Sequence, residues 1–111
     1  MSVPLYQAKA EFFKTLGHPA RIRILELLSE RDHAVHELLE RIDIEASNLS
    51  QQLAVLRRTS MVVSHRHGSE VVYSVSVPEV RDLLLVARKI LSGMFTVQGE
   101  LGAELTTDAL T

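Results

Sequence analysis

The chain has 111 residues, a net charge of −2 and no cysteine. It is long enough for one domain with a modest core, and without a thiol it has no disulfides, thiolate metal sites or thiol redox sensing. The small net charge argues against a nonspecific nucleic-acid binder, but positive charge gathers in one stretch: between residues 46 and 77, Arg57, Arg58 and Arg66 are opposed only by Glu70, a bias that steers one face toward an anion.

Lys9, Glu11 and Lys14 interrupt the N-terminal sequence before a signal-peptide core could form. The longest apolar run, Leu83–Ala87, is far too short to cross a membrane. A cytoplasmic protein is expected. Residues 5–17 predict a first helix, with Leu5, Ala8, Phe12 and Leu16 at helical spacing and Gly17 as its stop. Pro19 then opens a second helix over 19–30. Ile22, Leu25 and Leu28, flanked by Ile24 and Leu27, make this helix apolar over a broad arc and central to the core. Arg21, Arg23, Glu26 and Glu30 are expected outside, Arg23 within pairing reach of Glu26 or Glu30. A short third helix over 34–42 buries Val35, Leu38, Leu39 and Ile42.

After a tight connection, Ala46–Arg58 (ASNLSQQLAVLRR) forms a fourth helix of an unusual kind. Leu49, Leu53 and Leu56 share one side of the wheel. Ser47, Gln51, Ala54 and Arg58 lie opposite, with Ser50 and Arg57 on one flank and Asn48 and Gln52 on the other. A helix solvated for its own sake favours Glu, Lys and Arg over Ser and Asn. Short hydroxyls and amides around a small alanine, with cations at one end, suit a polar, anionic partner such as a DNA major groove. Ser47 or a neighbour is expected to cap the helix. Two short helices in tight succession, the second with the polar face, outline a helix-turn-helix.

The period then changes. Met61–Val63 and Val71–Val77 read as strands, joined through Ser64–Glu70 with Gly68 at the turn. Pro78 opens a last helix whose Val80, Leu83, Leu84, Ala87, Ile90, Leu91 and Met94 form a strong stripe, widened by Leu85 and Val86. A terminal helix this apolar is expected to pack on its own core and on a second copy of the chain. The fold class is therefore mainly α with a small β-hairpin: a dimeric winged helix-turn-helix in the order α-α-α-α-β-β-α. Residues 1–105 are read as one domain, with the terminal helices 5–17 and 79–95 in the dimer interface through Leu5, Phe12, Leu83, Leu84, Ala87, Ile90, Leu91 and Met94. Residues 96–105 are a second short helix or a frayed end, and 106–111 a flexible tail.

Three segments, LGHPARIRILELL (Leu16–Leu28), SNLSQQLAVLRR (Ser47–Arg58) and GSEVVYSV (Gly68–Val75), resemble the ArsR/SmtB family of bacterial transcriptional repressors. The likeness extends from about residue 8 to residue 92, and three motifs in order make it specific. It implies a homodimer that binds an inverted-repeat, near-palindromic operator in double-stranded DNA and releases it when an inducer binds. It also implies that Ser47, Ser50 and Gln51 face the major groove and that Arg66, His67, Gly68 and Ser69 form the wing. Chemistry agrees: Ser, Asn48 and Gln can bond base edges, and Arg57, Arg58 and Arg66 can neutralise phosphates.

The sensing residues of the family are not matched. Where thiolate sensors carry a Cys-Val-Cys type motif this chain has Ala34-Val35-His36, and where zinc sensors carry ligands on the last helix it has Val77, Glu79, Ile90 and Gly93. Any inducer is therefore not a thiolate-bound metal, and no metal or cofactor is assigned. His33 with His36, or His65 with His67, offer two ligands each, but a polar helix start and a DNA-facing wing are the favoured readings. No catalytic constellation stands out, so an enzyme is not expected. The alternative is a winged-helix interaction or dimerisation module without DNA readout, which would favour aromatic or aliphatic anchors over the Ser/Gln/Arg face.

Overall fold

The computed structural model describes residues 2–96. Its elements are α1 (Leu5–Leu16), α2 (Pro19–Glu30), β1 (His33–Ala34), α3 (Val35–Arg41), α4 (Ala46–Arg58), β2 (Val62–His67), β3 (Glu70–Val75) and α5 (Glu79–Thr96). By its contacts the chain divides after Pro78, so residues up to Pro78 are described as one body and α5 by itself. The segment expected at 96–105 and the tail at 106–111 lie beyond the described residues, apart from Thr96 at the end of α5.

Within the first body α2 is central, as its broad apolar arc predicts: Ile24, Leu25, Leu27 and Leu28 are all buried. They meet Leu38 of α3, Leu49, Leu53 and Leu56 of α4, and Met61, Val62 and Tyr73 around the sheet in one core. Each such side chain contributes about 1.5–3 kcal/mol on burial. α2 starts cleanly because Pro19 needs no N–H partner there and the Nδ1 of His18 accepts the Ala20 N–H at 3.2 Å. Gly17 ends α1 for a reason other than the usual left-handed stop. Its φ is −76°, and a Cβ would approach the Phe13 carbonyl oxygen to 3.3 Å, so the need is for close approach.

The sheet has three antiparallel strands in the order β1-β3-β2, one more than the expected hairpin. β1 is two residues long, with His33 opposite Tyr73 and Ala34 opposite Val72. His33 is fully buried, and its Nδ1 lies 2.8 Å from the Arg31 carbonyl. A carbonyl only accepts, so Nδ1 carries the proton and the buried Nε2 is left without a partner. The hairpin itself is longer than expected. Ser64–His67 belong to β2 and pair with Glu70–Tyr73, leaving only Gly68 and Ser69 as the turn. Gly68 has φ +65°, and positive φ at the first turn position alone is the type II′ pattern that matches strand twist.

α4 passes into β2 through a second left-handed residue, Ser60, at φ +63°. The Met61 N–H donates to the Leu56 carbonyl at 2.9 Å and the Ser60 N–H to the Arg57 carbonyl at 3.0 Å. Those two bonds, with Leu56 and Met61 both buried, make a Schellman ending in which serine stands where glycine is usual. From β3's end, the Ser76 hydroxyl donates to the Ser60 carbonyl at 2.6 Å and the Ser76 N–H to the Met61 carbonyl at 3.0 Å.

α5 begins with Glu79 and Asp82 in its first turn, favourable against the helix dipole. Leu85, Val86, Ile90, Leu91 and Met94 are all exposed on it. Among the described residues no helix is long and apolar enough to cross a membrane.

Candidate nucleic-acid interface

The fourth helix has the predicted bounds, Ala46–Arg58, and the predicted anchor: Leu49, Leu53 and Leu56 are buried. Its start differs from expectation. The N-cap is Glu45, without a side-chain cap bond, so Ser47 sits inside the first turn and is not the cap. Ser47, Ser50, Gln51, Ala54, Arg57 and Arg58 are exposed. The hydroxyls, amide and guanidinia of these residues have no partner among the described residues. Arg57 and Arg58 close the last turn, where cations also offset the negative helix end.

The Asn48 flank behaves differently. Gln52, expected as an outward flank residue, is only 8% exposed. Its Oε1 accepts from the Arg21 Nε at 2.8 Å, and its Nε2 donates to the Asn48 Oδ1 at 2.9 Å. Arg21, expected outside, also donates from Nη1 to the Thr15 carbonyl at 3.1 Å. It thus ties the end of α1 and α2 to α4. Gln52 borders the leucine stripe on the wheel, and that position was the available signal. Arg23 does pair with Glu26, at 3.3 Å.

In the wing, His65, Arg66, His67, Gly68 and Ser69 are all exposed. Antiparallel partners share a face, so His67 with Glu70 and His65 with Val72 lie on one side, and Arg66 with Val71 on the other. Arg66 and His67 therefore reach opposite sides of the wing.

The wing is fastened to α3 by a contact the sequence did not announce. The His36 Nε2 lies 2.7 Å from the Glu70 Oε1. That bond, helped by the charges of Glu37 and Glu40, raises the His36 pKa above its ordinary value against a smaller opposing desolvation. Glu37, at the third position of α3, accepts the Ala34 N–H at 2.9 Å and pairs with Arg31 at 3.1 Å. The backbone bond first, and Arg31 second, hold its carboxyl below the usual range. This is half of a capping box, since Ala34 has no side-chain acceptor to complete it.

The candidate metal pairs fare unequally. His33 is buried in β1 while His36 is exposed on α3, so they do not share a helix face. His65 and His67 do share one face of β2. Among the described residues no three His, Asp or Glu side chains are grouped to hold a metal ion.

Residues 18–62 match the family model described as "Bacterial regulatory protein, arsR family". The chain is 60% identical over 92 residues to the uncharacterized HTH-type transcriptional regulator Rv0081 of Mycobacterium tuberculosis (strain H37Rv), covering 82% of this chain and 81% of that one. The crystal structure of M. tuberculosis Rv0081 is similar with a TM-score of 0.79 at 56% identity, over 87% of this chain and 98% of that one. The transcriptional repressor BigR from Xylella fastidiosa is similar with a TM-score of 0.72 at 32% identity, over 77% and 87%. The homodimeric winged helix-turn-helix DNA-binding domain of Mb0332 from Mycobacterium bovis, at 23% identity and a TM-score of 0.68 over 78% and 80%, bears on the fold alone.

Proposed function

The chain belongs to the arsR family of bacterial regulatory proteins, and on that footing we propose that it is a cytoplasmic homodimeric repressor of a near-palindromic operator. The outer face of α4 carries this reading: buried leucines fix the helix, while Ser47, Ser50, Gln51, Arg57 and Arg58 stand exposed with no internal partner among the described residues. Hydrogen-bonding groups that the fold does not consume are free to read base edges, and the arginines to neutralise phosphate. Arg66, His67 and Ser69 of the wing would add backbone contacts. In a two-fold dimer the two α4 helices would enter successive major grooves, about 34 Å apart.

Exposed hydrocarbon supports the dimer. Leu5, Tyr6 and Phe13 on α1, and Leu85, Val86, Ile90, Leu91 and Met94 on α5, are each substantially open in the single chain. The proposed seam uses Leu5 and Phe12 of α1 and Leu83, Leu84, Ala87, Ile90, Leu91 and Met94 of α5. Lacking cysteine, the chain would answer to an inducer other than a thiolate-bound metal.

The test is a mobility shift on the DNA upstream of the protein's own gene, with wild type and Gln51→Ala. Gln51→Ala should lose about 5- to 150-fold on the operator, the equivalent of one base contact, and little on random duplex. Equal losses on both would remove the base-reading role.

A further inference from the structure

Asn48 sits on the flank of α4 and is tied inward by a chain of hydrogen bonds whose direction is forced. Arg21 Nε donates to Gln52 Oε1 at 2.8 Å, and Gln52 Nε2 donates to Asn48 Oδ1 at 2.9 Å. A carboxamide can in general be turned end for end, exchanging donor and acceptor. Here it cannot. A guanidinium has donors and no acceptor, so the end of Gln52 that faces Arg21 must be its oxygen. The Gln52 nitrogen then faces Asn48, and only the Asn48 oxygen can accept from it. The Asn48 nitrogen is left over. It has no partner and, in a residue that is only half-buried, is not among the buried unpartnered atoms, so it is open to solvent.

We infer that Arg21, acting through Gln52, sets the hydrogen-bond polarity of Asn48, so that it leads with its N–H as a reader of DNA. This rests on the reading of α4 as the groove helix and deepens it. An unconstrained asparagine prefers adenine, donating to N7 and accepting from N6. Asn48 has its oxygen turned toward Gln52 by the bond it accepts and keeps its N–H groups unengaged. Its partner is an acceptor: guanine O6 or N7, adenine N7, thymine O4, or a phosphate oxygen. Arg21 and Gln52 are positioning residues, and Arg21 is itself braced by its second bond, to the Thr15 carbonyl.

Gln52→Glu tests this directly. A carboxylate keeps the bond to Arg21, as a charge-assisted pair, but has no donor for Asn48. Asn48 must then turn, giving its nitrogen to Glu and its oxygen to the DNA. Measured by binding selection on operators randomised at each half-site position, Gln52→Glu should lose about tenfold or more on the wild-type operator. If Asn48 meets a base, the preference at one position should move from a base with an exposed acceptor toward cytosine, whose major-groove edge offers only a donor. If it meets phosphate, the loss should fall equally on all sequences. Arg21→Lys, which still only donates, should keep the wild-type preference. Adding Asn48→Ala should abolish the effect of Gln52→Glu, and circular dichroism melting should show each variant folded. Unchanged affinity and preference in Gln52→Glu, alongside weakened operator binding in Gln51→Ala, would overturn the inference while leaving the groove role of α4 standing. If neither variant changes DNA binding, the reading of α4 fails and this inference falls with it.

Discussion

α4 and α5 are both helices with a marked apolar stripe, yet they leave opposite things uncovered. In α4 the leucines are inside and the hydroxyl, amide and guanidinium groups are outside without partners among the described residues. In α5 it is hydrocarbon that stands open, with Ile90 56% exposed and Leu85, Val86, Leu91 and Met94 beside it. An unused donor gains from a polar partner of matching geometry, and exposed hydrocarbon gains from any surface that excludes water. One chain thus carries two kinds of unfinished surface, one suited to nucleic acid and the other to a second copy of itself.

The comparison breaks most severely at α5. Ile90→Lys places a charge in the proposed seam at a side chain already open in the single chain, so the monomer fold should survive. Sedimentation should show monomer, and operator affinity should drop by about 10²- to 10⁴-fold as the second half-site contact becomes a separate binding event. A variant that sediments as a stable dimer would place the seam elsewhere. Arg66→Ala probes the wing: affinity should fall on all sequences and the slope of log affinity against log salt should flatten by about 1. An unchanged slope would mean that Arg66 does not touch phosphate.

Two smaller effects test how the reading elements are held. Ser60→Gly relieves a left-handed serine, which costs about 1–2 kcal/mol in that conformation, less glycine's own entropy cost of about 0.5–1 kcal/mol. A net gain of about 0.5 kcal/mol should raise Tm by roughly 2–4 °C, read by calorimetry. Glu70→Gln should show a pH-dependent loss. The His36 pKa is raised by Glu70 in the folded state, so the contact stabilises fully below the unfolded histidine value and fades as pH rises through the folded one. The Tm gap between wild type and Glu70→Gln should therefore be wider at about pH 6 than at about pH 8.5. Both groups are exposed, which makes this the smallest change expected.

Much of the architecture was legible because it rests on apolar spacing. Leu49, Leu53 and Leu56 marked the buried side of α4, and His18-Pro19 the start of α2. What escaped was pairing between residues distant in the chain. β1 has two residues and no period to detect, so His33 read as part of a helix start. The outer half of β2 is polar throughout, so Ser64–His67 looked like a loop although every residue is paired with β3. Arg21 and Gln52 read as surface because each is polar, and only the approach of α2 to α4 turns them toward each other. The exposed face of α4 was the most readable part of the site, since it needs no tertiary partner to be recognised.

The ending of α4 carries a mechanical consequence. Ser60 and Met61 bond back to Leu56 and Arg57, and Ser76 bonds to both of them. The last turn of the helix and the base of both wing strands thus meet in one knot, with no linker to absorb a change of angle. If helix and wing both contact DNA, the distance between groove and phosphate contacts is set before binding. The duplex, not the protein, must then adjust its groove width and curvature, and base pairs between the contacts would be selected by how cheaply they deform. A serine outside the contact set would in this way act as a gauge against which the operator is measured.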